Sequence, residues 1–132
     1  MDLFSVIEKY MNEIGGQFMA YDTTKAIMVV PLPDSRFHTV ILTFERNDNT
    51  GTQHALFTTK VCEYDNSISL KELLEQNANT NYSKFILEDS QIKIEAAIPV
   101  DGTTEEEVKY IILELARLAD AYEFKLTGKD VH

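Results

Sequence analysis

Between Tyr82 and Tyr122 the chain reads YSKFILEDSQIKIEAAIPVDGTTEEEVKYIILELARLADAY, and this stretch limits the fold more than any other. Ile92, Ile94, Ala96 and Ile98 alternate with Lys93, Glu95 and Ala97. Period two is the mark of a strand with one buried face. Phe85 and Leu87 alternate with Lys84 and Glu88 just upstream, and Asp89-Ser90 between the two runs carries turn chemistry, which predicts a β-hairpin. Pro99 and then Asp101-Gly102 end the second strand, because proline cannot donate to a ladder. Thr103 or Thr104 caps a following helix, with Glu106 and Glu107 three residues on as overlapping capping boxes. Glu105, Glu106 and Glu107 also set negative charge at the positive end of the helix dipole. Val108, Ile111, Ile112, Leu115, Ala119 and Tyr122 recur at helical spacing and form one apolar face, read as core.

Upstream, the same signals predict the rest of one sheet and the helices that cover it. Asp2 caps a helix whose stripe is Leu3, Ile7, Tyr10, Met11 and Ile14, and Gly15-Gly16 stops it. Gln17 to Asp22 is a short strand. Ala26 to Val30 is apolar without alternation, which predicts a strand covered on both faces, one cover being a second subunit. Pro31, Pro33 and Asp34 are expected to break the ladder there. Phe37 to Glu45 and Gln53 to Tyr64 form a second hairpin around the polar turn Asn47-Asp48-Asn49-Thr50-Gly51. Phe37, Thr39, Ile41 and Thr43 share one face of its first strand. On its second, Leu56, Thr58, Lys60, Cys62 and Tyr64 fall opposite Phe57 and Val61, and Lys60 turns that set outward. An outer face carrying Phe37, Ile41, Leu56 and Tyr64 is rich in apolar groups, and such patches mark protein contacts. A register slip of one residue exchanges the two faces. Ser69 and Glu72 cap a short helix bearing Leu70, Leu73 and Leu74, before the polar run Asn77 to Asn81.

The expected architecture is α+β: a twisted antiparallel sheet with helices packed on it, in the order α-β-β-β(-β)-α-β-β-α. Its 132 residues suit one domain, here 1–126, with 127–132 a frayed tail. No apolar run reaches the length of a membrane span, and Met1-Asp2-Leu3-Phe4 carries no basic leader, so a cytoplasmic protein is expected. A net charge of −10, with basic residues scattered, repels nucleic acid and anionic membranes. A single cysteine, Cys62, excludes an intrachain disulfide and a cysteine-rich metal site. His38, His54 and His132 stand in no metal-ligand spacing, although His38 and His54 could meet across their hairpin as a polar pair. The turn at Asn47 to Gly51 fails as a calcium loop, since Thr58 stands where the bidentate glutamate belongs. Neither a phosphate-binding loop nor a nucleophile elbow is present. The Asn81-Tyr82-Ser83 sequon carries no weight without a secretory signal. No catalytic residue and no cofactor is expected.

The segment LKELLEQNANTNYSKFILEDSQIKIEAAIPVDGTTEEEVKYIILELARLADAY resembles the YbjN family and, in element order, the class I type III secretion chaperones. The shared pattern is a leucine-rich short helix, an Asn-rich connection, a strand with an aromatic, an acidic turn, a strand ending near proline and a long helix. The resemblance covers residues 70 to 122, and upstream it is topological only. It implies a homodimer without cofactor. Secretion chaperones of this class hold an extended stretch of another protein through apolar grooves and strand addition. The sequence therefore predicts a non-catalytic protein-binding module with a partner polypeptide. The alternative is a small-ligand binder or enzyme whose site is assembled from residues distant in sequence.

Overall fold

In the computed structural model, which describes residues 1–128, helix α1 (Leu3–Ile14) is followed by strands β1 (Gln17–Ala20), β2 (Lys25–Leu32), β3 (Arg36–Arg46) and β4 (Gln53–Glu63). Helix α2 (Leu70–Gln76) runs into a 3₁₀ turn at Asn77–Asn79. Strands β5 (Lys84–Glu88) and β6 (Gln91–Pro99) then lead to helix α3 (Glu105–Thr127). The caps are those the sequence announces. Asp2 accepts the Ser5 N–H, Ser69 accepts the Glu72 N–H, and Thr104 rather than Thr103 forms the reciprocal box with Glu107.

The strands form one antiparallel sheet in the order β1-β2-β3-β4-β6-β5, so the chain is an α+β fold. The three helices lie on one face. Beneath them Met28, Leu42, Phe57, Ile92 and Ile94 meet Ile7 and Met11 of α1 and Ile111, Ile112 and Leu115 of α3, all fully buried. Each such side chain contributes roughly 1.5–3 kcal/mol on leaving water. Gly16 is held to its identity by this packing, because a Cβ there would lie 2.6 Å from the Val29 carbonyl oxygen.

Four local expectations are corrected. β1 ends at Ala20 instead of Asp22, because the Asp22 carboxylate turns the chain by accepting the Thr24 N–H and hydroxyl, both at 2.7 Å. Pro31 does not break β2, which runs on to Leu32 paired with Arg36. β1 has no residue beyond Gln17 opposite Val29, so the missing N–H of Pro31 falls where the sheet requires none. On β4 a bulge between Lys60 and Cys62 inserts Val61, and both Val61 and Cys62 become buried. An extra residue inverts every facing beyond it. Finally, α3 includes Thr127 and closes on Gly128 at φ 71°, where a tail was expected. The remainder of that tail, 129–132, lies outside the described residues.

Candidate interaction site

The sheet face opposite the helices carries no covering element among the described residues. Its first four strands present an apolar field. Met19 pairs with Ile27, Ile27 with Ile41, Pro31 with Phe37, and Thr43 with Leu56. Met19 is 64% and Phe37 47% exposed, while Ile27, Val29, Ile41 and Leu56 are half-buried by their neighbours. The other half of the face is ionic. Lys60 pairs with Glu63 at 2.7 Å, Lys93 with Glu88 at 2.8 Å and Lys84 with Glu95 at 3.4 Å. Lys60 and Lys93 sit directly opposite each other, an arrangement that repels unless each has its own anion. Across the whole face Lys25, Lys60, Lys84 and Lys93 balance Glu45, Glu63, Glu88 and Glu95. That leaves eight basic against eighteen acidic residues elsewhere in the chain.

Phe37, Ile41 and Leu56 stand together on this face, as their alternation indicates. Tyr64 does not join them. Past the bulge at Val61, Cys62 pairs with Ile92 on the helical side, and Tyr64 packs half-buried against the core. Counting by twos through position 61 misses one residue, and no sequence signal marks the bulge. Met19, Ile27 and Val29 complete the apolar field and were missed as site residues. Their signal was the unbroken run Ala26 to Val30, where Ala26, Met28 and Val30 face the core. Within one chain only that face of β2 is covered.

At one end of the face β3 and β4 part beyond the Ile41–Thr58 pair, leaving a shallow trough of about 510 Å³ rimmed by Phe37, Thr39, Lys60 and Lys93. His38 and Thr59, both buried, replace the lost ladder bonds. The Thr59 hydroxyl donates to the Thr39 carbonyl at 2.6 Å, and His38 Nε2 donates to the Lys60 carbonyl at 3.0 Å. A carbonyl only accepts, so Nε2 carries the proton. These two side chains are thereby committed to the backbone at the trough floor. His54, paired with Glu45 on the outer face, does not meet His38 on the core face.

No three His, Cys, Asp or Glu residues among those described stand close enough to hold a metal ion. Burial pushes the Cys62 thiol up, and the carboxylates of Asp65, Glu123 and Glu63 push it further, so at neutral pH it is a thiol and not a nucleophilic thiolate. A polar site that sequence alone did not suggest joins the Asn81–Ser83 loop to α3. The Glu114 carboxylate accepts the N–H groups of Asn81 (3.1 Å), Tyr82 (2.9 Å) and Ser83 (2.8 Å). Tyr82 and Tyr110 stack edge to face beside it, and the Asn81 amide donates to the Tyr110 hydroxyl at 2.6 Å. No helix among the described residues is long and apolar enough to cross a membrane. Neither a protein-family model nor a curated protein matches this chain.

Proposed function

We propose that this chain is a non-catalytic, cytoplasmic protein-binding module that works as a homodimer holding a partner polypeptide, with the bare sheet face as the subunit contact. One observation carries the dimer. In a molecule of net charge −10, the described residues of this face set four lysines against four glutamates, and half of the face is apolar. Two copies meeting elsewhere repel, whereas two copies meeting here oppose neutral surfaces. A two-fold axis through the face sets the same residues against themselves. Six strands about 4.8 Å apart and about eight residues long on average give a face of roughly 24 Å by 27 Å, or on the order of 650 Å². That is close to the share of each partner in a stable interface, about 800 Å². The resemblance to the secretion chaperones leads to the same assembly from the sequence side.

The test is molecular mass in solution. Wild-type protein is expected as a dimer by light scattering at micromolar concentration, and added salt, which screens the −10 repulsion, tightens it. Ile41→Asp sets a charge in the apolar field and yields a monomer with unchanged far-ultraviolet circular dichroism. A wild-type monomer at high micromolar concentration would overturn the proposal.

A further inference from the structure

The split between β3 and β4 leaves backbone donors at the trough. The Asn47 N–H donates to the Thr52 carbonyl at 2.9 Å just outside the ladder, which sets its phase. Hydrogen-bonded pairs therefore recur at Glu45–His54, Thr43–Leu56 and Ile41–Thr58, and the next position is Thr39 with Lys60. That pair is not made. Its two carbonyls are taken from the core side instead, that of Thr39 by the Thr59 hydroxyl at 2.6 Å and that of Lys60 by His38 Nε2 at 3.0 Å. The N–H groups of Thr39 and Lys60 are left in the split without a ladder acceptor, where it opens to the outer face.

The rest of the trough matches those donors. Lys60 and Lys93, directly opposite each other, stand at its rim, and no Asp or Glu lines it among the described residues. In a chain of net charge −10 that is a local reversal of sign. Glu63 and Glu88 meet the two lysines from outside the lining, with side chains 64% and 58% exposed. An ammonium carries three donors, so each lysine can keep its glutamate and still bind a second anion. Phe37 and Ile41 form an apolar wall beside these donors. Main-chain N–H groups and ammoniums next to such a wall recognise a carboxylate borne on an apolar body. The volume of about 510 Å³ lies in the range of small-molecule sites. A polypeptide would need further main-chain partners beyond the split, and there the β2–β3 and β4–β6 ladders are already paired.

We infer that the β3–β4 trough binds a small free organic acid, its carboxylate on the Thr39 and Lys60 N–H groups between the two lysines and its apolar body against Phe37. This goes beyond the binding-module proposal and stands without the dimer.

The test is a calorimetric titration with phenylpropionate, followed in parallel by the amide signals of isotope-labelled protein in nuclear magnetic resonance. Controls are phenylpropionamide, which lacks the charge, and acetate, which lacks the apolar body. Phenylpropionate is expected to bind at least about tenfold more tightly than either, and to shift the Thr39 and Lys60 amide signals most. Lys60→Gln combined with Lys93→Gln is expected to weaken it about tenfold, while Lys60→Arg, which keeps a charged donor, stays within about threefold. Both lysines are partly exposed, so these variants are expected to keep their fold, which circular dichroism checks. Equal binding of the amide, an unchanged Kd in the double variant, or unmoved Thr39 and Lys60 signals would overturn the proposal. So would tighter binding of a short peptide with a free C-terminal Phe, which would assign the trough to a partner chain. Light scattering on the same samples separates the two proposals. A monomer that binds the acid keeps this inference and ends the dimer, whereas a dimer that ignores the acid does the reverse.

Discussion

Replacing Glu114 by Ala removes the carboxylate that accepts the three main-chain N–H groups of the Asn81–Ser83 loop. The cost can be built bond by bond. The Ser83 N–H belongs to a residue 2% exposed, and without an acceptor it is stranded, at about 1–3 kcal/mol. The Asn81 and Tyr82 N–H groups are exposed and turn to water, so each loses only the net value of its bond, about 0.5 kcal/mol. The sum is about 2–4 kcal/mol, or on the order of 10 °C in melting temperature for a domain of this length. Urea denaturation should show it as a lower midpoint at unchanged slope. A second signature is in pH. Burial raises the Glu114 pKa, but the N–H donors of Tyr82, Asn81 and Ser83 outweigh it and leave the folded value below the ordinary carboxylate range. Its contribution is therefore complete above the unfolded pKa of about 4.3 and is lost as pH falls through the lower folded value. The gap between wild type and variant should narrow on acidification. A gap under about 0.5 kcal/mol at neutral pH, or one that does not change down to about pH 3, would refute the reasoning.

Three further outcomes are expected. Arg36 grips Asp120 of α3 through Nε (3.1 Å) and Nη2 (2.9 Å) to the same oxygen, Oδ2, with Nε also 3.2 Å from Oδ1. Both Asp120→Asn and Arg36→Lys should lower the thermal midpoint, because the first removes the anionic acceptor and the second the planar fork, and a calorimetric scan that finds Arg36→Lys silent would contradict this. Cys62, buried with a raised pKa, should react with a thiol reagent at pH 8 at least about a hundredfold more slowly in the native protein than in urea, and equal rates would place it at the surface. Ser90 holds φ 61° in the two-residue turn with Asp89, so Ser90→Gly should stabilise the protein by about 1 kcal/mol in chemical denaturation, and a loss would show that its side chain matters there.

The order of elements was readable because their local signals agree: alternation at Ile92–Ile98, a reciprocal cap at Thr104 and Glu107, and a left-handed stop at Gly15 all specify the same local structure. The bare face was half readable. Phe37, Ile41 and Leu56 alternate correctly with their core-facing neighbours, whereas Tyr64 lies past a bulge that leaves no trace in composition. Ile27 and Val29 looked like core because apolar residues on both sides of a strand report burial without saying which molecule supplies the cover. The Glu114 cradle was invisible because its donors are main-chain N–H groups more than thirty residues away, and a backbone donor has no residue type. The Asn77 side chain clamps β5, accepting the Phe85 N–H at 2.7 Å and donating to the Phe85 carbonyl at 3.3 Å. It was unreadable for the same reason, since an asparagine in a polar run reads as a turn until its carboxamide is seen against Phe85.

That clamp has a consequence for how copies of the molecule can accumulate. A sheet whose two outer strands both accept a neighbour can lengthen without limit, in the manner of a fibre, while a sheet with one receptive margin stops after a single addition. Among the described residues no strand lies beyond β1, whereas at β5 the carboxamide of Asn77 occupies the backbone of Phe85. One side chain thus takes the Phe85 backbone out of edge pairing, which disfavours lengthening of the sheet through β5.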